Sequence, residues 1–261
     1  MFDSDDLLAL GDLFSHEFKT PIAVIRNHIT NIERRFEEGT IDSMDIRRTT
    51  GAMRHCCDSL SRLSGNIALV SGKDKFQANR FYYDVAEQIS TICFMTNELF
   101  AENGVNVTFT AKTEQLIFNA DPDFIMSIVL NLISNGIKYN SSDLKQIDIV
   151  AEIKNKALHI SIKDNGIGFP KEEAEKVFER YYRSDNSMNM LAMGLGLGLF
   201  IVKEMVKAHN GTIVAKPTKK GTTFKIEIPP LDELVFRSPR TVFVSVKAVE
   251  LALSGELIKY I

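Results

Sequence analysis

Cysteine is scarce in this sequence, with three residues in 261, two of them adjacent as Cys56 and Cys57. No paired spacing and no histidine cluster accompany them, which argues against a disulfide framework or a zinc site and makes a reducing setting the simplest reading. Long apolar runs are missing too. The nearest approach, MLAMGLGLGLFIV from Met190 to Val202, is rich in glycine and falls well short of the ~20 residues that cross a bilayer. Nor is there an excess of one charge: 31 Lys and Arg stand against 34 Asp and Glu, a formal net charge of −3. Composition therefore offers no basic surface for nucleic acid or an anionic membrane. No signal-peptide pattern precedes the first amphipathic segment. What remains is an ordinary globular composition, long enough for one large or two modest domains with a proper core.

From Leu7, apolar residues recur at Leu10, Phe14, Phe18, Ile22, Ile25, Ile29, Ile32 and Phe36. Steps of three and four mark an amphipathic helix. A second stripe runs through Met53, Cys57, Leu60, Leu63, Ile67 and Val70, and the polar turn EEGTIDSMD separates the two. Two long helices with one apolar stripe each form a hairpin that cannot bury both seams alone, so pairing with a second copy into a four-helix bundle is expected.

After SGKDK at 71–75 the pattern becomes alternating strands and helices. Strand-like pieces are RFYYDV, GVNVTFTA, QLIFNA, QIDIVAEI, ALHISIKD, GTIVAK and TTFKIEI; helix-like pieces span about 86–102, 122–138, 171–178 and 198–209. Turns at Asn155-Lys156 and at KKGT (219–222) favour antiparallel pairing and an α/β sandwich. The expected fold class is α+β: a helical hairpin over 1–75, a sandwich over 76–230, and an appendix over 231–261 containing a β-prone run, TVFVSV, and a short helix.

Three segments could carry chemistry. In DPDFIMSIVLNLISNGIKYN, Asn131, Asn135 and Lys138 fall within about 60° of one another on a helix that is otherwise apolar. Amide oxygens suit a hard cation such as Mg2+ and the ammonium suits a phosphate, although a solvated helix face would look the same. In ALHISIKD, Asp164 shares parity with Leu158, Ile160 and Ile162, so its carboxylate is aimed at the buried face, where it needs a donor. An adenine amino group would serve; so would a simple turn in which the aspartate of DNG caps its own loop. Gly166 and Gly168 leave room there for a close approach. In GLGLGLFIVKEMV, Gly194, Gly196 and Gly198 lead into a helix whose free N–H groups could face phosphates. The methionine-rich run before it, with Met188, Met190 and Met193, reads as a cover. A dinucleotide-binding fingerprint is disfavoured, because the parallel βαβ rhythm and the later acidic residue are not evident. Each signal is weak alone, and together they describe an ATP site.

The blocks HEFKTP, NLISNGIKYN, DNGIGFP, FERYYRSD, GLGLGLFIVK and GTTF, in this order over roughly residues 5–229, resemble the sensor histidine kinases of two-component systems. The resemblance implies a dimerising phosphotransfer hairpin followed by a Bergerat-type ATP-binding domain. It implies that His16 accepts a phosphoryl group from ATP, with Glu17 taking the ring proton, and passes it to an aspartate of a response regulator receiver domain. It assigns Asn135 to Mg2+ with Asn131 beside it, Lys138 and Arg183 to the phosphates, Tyr139 to the adenine face and Asp164 to the adenine amino group. Gly166, Gly168, Gly194, Gly196 and Gly198 would shape the pocket and its lid. Where relatives usually have alanine, this chain has Gly136. Thr20, one turn after His16, resembles the threonine that positions water for phosphatase action on the phosphorylated regulator. An ATP-binding signalling scaffold without kinase activity is the alternative. By this resemblance the chain is cytoplasmic, or the cytoplasmic part of an inner-membrane receptor, and homodimeric. Pro21 lacks an N–H and crowds the carbonyl of Glu17, so the first helix is expected to loosen there.

Overall fold

The computed structural model describes residues 4–71, 76–113, 115–184, 195–218, 220–231 and 239–257. Two helices open the chain, α1 (Ser4–Glu37) and α2 (Ser43–Ser71). They pack on each other as a hairpin. Gly39, at φ 62°, lets the chain turn back, and Asp42 accepts the N–H of Asp45 at 2.7 Å at the start of α2. α1 runs unbroken through Pro21, so the expected loosening does not interrupt the helix. The inner face of α2 departs from the expected stripe in its first half, where Ala52 and Cys56 are buried and Cys57 is exposed, and rejoins it at Leu63, which is buried. The reason is that the i, i+4 row through 52 and 56 is the one turned toward α1 and the sheet domain. On α1, Ile22, Ile29 and Phe36 of the expected stripe remain 51%, 42% and 74% exposed, which leaves part of the hairpin's apolar surface uncovered within one chain.

The second part is a helical layer on one sheet. Strands β1 (Phe81–Asp84) and β3 (Ile117–Ala120) form an antiparallel pair. The main sheet has the order β2-β4-β5-β7-β6, from β2 (Val105–Ala111), β4 (Lys145–Lys154), β5 (Ala157–Asp164), β6 (Thr212–Thr218) and β7 (Gly221–Ile228). The turns at 155–156 and 219–222 are expected to join antiparallel strands. Antiparallel pairing holds for β4·β5, β5·β7 and β6·β7, but β2 runs parallel to β4. That pair is reached by way of β3 and a helix, a crossover that a parallel neighbour requires. Asn155 and Lys156 take φ of 51° and 66° in the β4–β5 hairpin, the left-handed pair that a two-residue turn needs.

Alternation decides which face of the sheet is covered. Ile147, Ile149 and Ala151 of β4, Leu158, Ile160 and Ile162 of β5, and Phe224, Ile226 and Ile228 of β7 are buried. The opposite face carries polar cross-strand pairs such as Thr108 with Asp148 and Lys112 with Glu152. On the covered face lie α3 (Val85–Leu99), α4 (Pro122–Lys138) and α5 (Gly198–Ala208). Asp84 and Asp121 cap α3 and α4, and Pro122 occupies the first turn of α4. The helix expected over 171–178 is instead two 3-10 turns, Lys171–Glu173 and Lys176–Phe178. Packing overrides propensity here, because Val177 and Phe178 are both buried and the Phe178 ring meets Phe224 edge-on at 6.3 Å.

Of the two elements expected in the appendix, one is absent and one is present. The run TVFVSV forms no strand. Its alternation is real, since Val242 and Val244 pack against the core while Phe243 is 90% exposed, but no ladder accompanies it. The expected helix is present as α6 (Val246–Leu257), and it packs against α2, α4 and α3.

His209, after α5, is fully buried and locks the base of the domain. Its Nδ1 lies 2.8 Å from the carbonyl of Met205, and its Nε2 accepts the N–H of Asp121 at 2.9 Å, so the geometry fixes a neutral ring with the proton on Nδ1. Burial pushes its pKa below the ordinary histidine value. Below about pH 6.5 the unfolded chain therefore takes up a proton that the folded chain resists, so the stability present above that pH is lost as pH falls. Urea midpoints should fall between pH 7 and 5, with a slope of at most about 1.4 kcal/mol per pH unit from this residue. The slope should become shallower in His209→Gln; an identical slope would place the sensitivity elsewhere.

Candidate functional site

α4 delivers three polar side chains to one rim of a cavity. Asn131, Asn135 and Lys138 all line it, as does Ser134, while Ile125, Ile128, Val129, Leu132 and Ile133 are buried in the core. Asn131 donates through Nδ2 to the carbonyl of Ser127 at 2.8 Å. Its Oδ1 faces Gly198, where an added Cβ would approach it to 3.2 Å. Tyr139 ends the helix and lines the same cavity, with the Lys138 ammonium 5.3 Å from its ring centroid.

Gly136 sits on the same helix with its back to the sheet. A Cβ there would come within 3.0–3.2 Å of Ile147 and the Cβ of Asp164. The glycine therefore costs helix propensity of up to ~1 kcal/mol and admits a closer approach of β4 and β5 than alanine allows.

Asp164 closes β5 and takes the turn-capping role that the sequence allowed. Its Oδ1 accepts the N–H of Gly166 at 2.9 Å, the capped turn, and also the N–H of Thr222 at 3.1 Å, from the start of β7. It lines the cavity as well. Burial pushes its carboxyl pKa up, and the two backbone N–H groups pull against that rise. Gly166 does not line the cavity, and its contribution is the N–H given to Asp164. Gly168 does line it, at φ 63° with the carbonyl of Thr218 only 2.3 Å from where a Cβ would stand; no other residue fits that position unstrained.

Asn165, the middle of this loop, is clipped by residues that sequence reasoning passed over. It accepts from the Nδ2 of Asn140 at 2.6 Å and from the N–H of Gln146 at 2.8 Å, and it donates to the carbonyl of Leu144. Asn140 is itself buried. Its only signal was an amide just past the end of α4, where a short polar side chain can hydrogen-bond nearby backbone.

The third wall comes from Leu195, Gly196, Leu197 and Gly198 at the start of α5, together with Arg183. Gly196, at φ 66°, lies against the backbone of Tyr181 and Tyr182. α5 starts without a side-chain cap, so its first N–H groups need other partners. Gly194, Met188, Met190 and Met193 lie outside the described residues.

The hairpin supplies the fourth wall. Glu17, Thr20, Pro21 and Val24 of α1 and Cys56, Ser59, Leu63 and Asn66 of α2 line the same cavity as Asn135 and Lys138. Glu17 is only 3% exposed. The side chain of His16 lies outside the described residues, although its backbone is part of α1. Chemically, the cavity unites amide oxygens, an ammonium, a guanidinium, a turn-capping carboxylate and the start of a helix that has no side-chain cap. Such a set fits a polyphosphate nucleotide with a hard cation. Among the described residues no group of three or more His, Cys, Asp and Glu could hold a metal ion. No helix among the described residues is long and apolar enough to cross a membrane.

Residues 120–232 match the family described as Histidine kinase-, DNA gyrase B-, and HSP90-like ATPase. The chain is 33% identical over 226 residues to the sensor histidine kinase WalK of Bacillus subtilis, an alignment covering 84% of this chain and 36% of that protein. The chain thus spans about a third of WalK's length. Among solved structures it resembles histidine kinase ThkA in complex with response regulator protein TrrA, with a TM-score of 0.59, 22% identity, and coverage of 87% of this chain and 64% of that one. It also resembles full-length ShkA in complex with AMPPNP, with a TM-score of 0.60, 18% identity, and coverage of 84% and 45%. These two likenesses establish a shared fold of hairpin and ATP-binding domain.

Proposed function

Because the chain belongs to the sensor histidine kinases, we propose that it moves the γ-phosphoryl group of ATP to His16 and then to an aspartate of a response regulator receiver domain. The observation that supports this reading most is the shared cavity: Glu17 and Thr20 of α1 face the same space as Asn131, Asn135 and Lys138 of α4. In the proposed reaction a neutral imidazole nitrogen of His16 bonds to phosphorus, the bond to the ADP oxygen breaks, and Glu17 takes the proton from the ring. Lys138 and Arg183 would hold the phosphates, and the Tyr139 ring and the Asp164 carboxylate would hold the base. Mg2+ bound with the nucleotide would offset phosphate charge, and the amide oxygen of Asn135, with that of Asn131 beside it, is the donor this chain offers it.

The exposed apolar residues of α1, Ile22, Ile29 and Phe36, support a homodimer in which a second hairpin covers them. The test of the kinase reading is incubation of the full chain with γ-labelled ATP and Mg2+. Acid-labile, alkali-stable label is expected; nucleotide binding without label would leave the signalling scaffold as the better account.

Thr20 carries the phosphatase half of the proposal. It is four residues from His16 and lines the cavity, and in this proposal its hydroxyl orients a water against a receiver's phospho-aspartate. Thr20→Ala is expected to keep autophosphorylation within about twofold and to lower phosphatase activity by roughly 10²-fold, the order of a positioned proton-transfer or orienting group. Equal phosphatase rates for the two proteins would remove Thr20 from that step.

A further inference from the structure

The segment after β7 lies almost wholly beyond the ATPase family match, which ends at residue 232, and the proposed reaction makes no use of it. Yet its described residues, 239–257, are held at two places. Arg240 gives its N–H to the carbonyl of Tyr82 at 2.7 Å and lays its guanidinium over the Phe81 ring at 4.8 Å, which ties the chain to β1. Ser245 then caps α6, its Oγ accepting the N–H of Ala248 at 3.1 Å. One turn apart on one face, Val249 and Leu253 are fully buried. The face they form packs on α2, on α4 and on α3.

The consequence lies in which helices those are. α2 belongs to the hairpin that carries the phospho-acceptor, and α4 carries Asn131, Asn135 and Lys138. A single short helix therefore touches both reacting partners and is tethered to the ATP-binding domain by Arg240. Helices are stiff and packed interfaces do not deform continuously. A swing of the hairpin relative to the ATP-binding domain must therefore break the contact of α6 with α2 or with α4. The same arrangement places Glu17 and Thr20 in the cavity with Lys138.

We propose that α6 is a brace that holds the hairpin against the ATP-binding domain in the phosphoryl-transfer arrangement and thereby sets the rate of autophosphorylation. The proposal rests on the kinase reading for its effect on rate, and on packing alone for its effect on shape. Release of α6 would free the hairpin, and with it the surface a receiver domain must reach.

The test uses the full chain with Val249→Ser/Leu253→Ser, the milder Leu253→Ala, and the conservative Val249→Ile/Leu253→Met. Three quantities are read: affinity for a fluorescent ATP analogue, autophosphorylation rate at saturating ATP, and radius of gyration by X-ray scattering. The serine double variant is expected to bind nucleotide as wild type does, to autophosphorylate roughly tenfold more slowly, within the range of coupling between linked sites, and to be larger in solution. Leu253→Ala should fall between the two, and the conservative variant should match wild type. Unchanged or faster labelling in the serine and alanine variants overturns the brace. Loss of nucleotide affinity in both also overturns it, because α6 would then be part of the fold of the ATP-binding domain. Should wild type itself take up no label, the kinase reading has failed, and the brace stands or falls on scattering: equal radii for wild type and the serine variant reject it.

Discussion

Replacement of His16 by glutamine is expected to abolish labelling from γ-labelled ATP while nucleotide affinity stays unchanged. Glutamine is a good helix former and keeps a polar side chain of comparable reach, so the stability of α1 should move by no more than about 0.5 kcal/mol. What it lacks is a lone pair able to attack phosphorus at neutral pH, because its amide nitrogen is delocalised into the carbonyl. The residues proposed to hold the nucleotide come from α4, β5, the 182–184 segment and the start of α5, whereas residue 16 belongs to the hairpin that walls the other side of the cavity, so the substitution is expected to separate binding from chemistry. The loss in rate should exceed roughly 10³-fold, since no second group replaces a missing nucleophile. Label persisting on His16→Gln would move the acceptor to another residue. Loss of binding together with labelling would point instead to a distorted hairpin.

How far the sequence leads depends on the range of the interaction that decides each feature. Period-two and period-3.6 patterns are local, and they place β1 to β7 and the helices α1 to α5 within a few residues. The caps Asp84 and Asp121 are equally local. Asn131, Asn135, Lys138 and Asp164 could be grouped because helix and strand geometry fix which side chains share a face, and the structure brings them to one cavity. The failures are non-local. Nothing near Val105 announces that β2 pairs parallel with β4. The 171–178 segment tightens into 3-10 turns because Phe178 must reach Phe224, almost fifty residues on. Cys56 replaces Cys57 on the inner face of α2 because two neighbouring stripes compete there, and only tertiary contact with α1 and the sheet domain chooses between them. The clip of Asn140 on Asn165 and the seat of α6 were invisible for the same reason.

Asp164 offers the sharpest separation of structure from recognition, and two substitutions are expected to divide them. Its two oxygens divide an observed role from a proposed one. Oδ1 takes the N–H groups of Gly166 and Thr222 and so pins the glycine loop to the start of β7, while the other oxygen is the acceptor proposed for the adenine amino group. Asp164→Asn keeps one acceptor oxygen for the two backbone donors and presents an NH2 where the second oxygen stood, so a donor would face a donor. Loss of a hydrogen bond to a charged acceptor is worth about 1.5–3 kcal/mol, or roughly ten- to 150-fold in ATP affinity, and thermal stability should change little. Asp164→Ala removes the partner of two N–H groups in a buried turn, at about 1–3 kcal/mol for each donor left unsatisfied, and should lose stability and affinity together. Titration calorimetry with ATP and thermal melts of both variants provide the check. If the asparagine variant binds ATP as tightly as wild type while the alanine variant melts early, Asp164 is a turn cap alone and the base is recognised elsewhere in the cavity. If asparagine weakens ATP and leaves the melt in place, the carboxylate reads the base, and the burial that raises its pKa follows from putting an acceptor where adenine needs one.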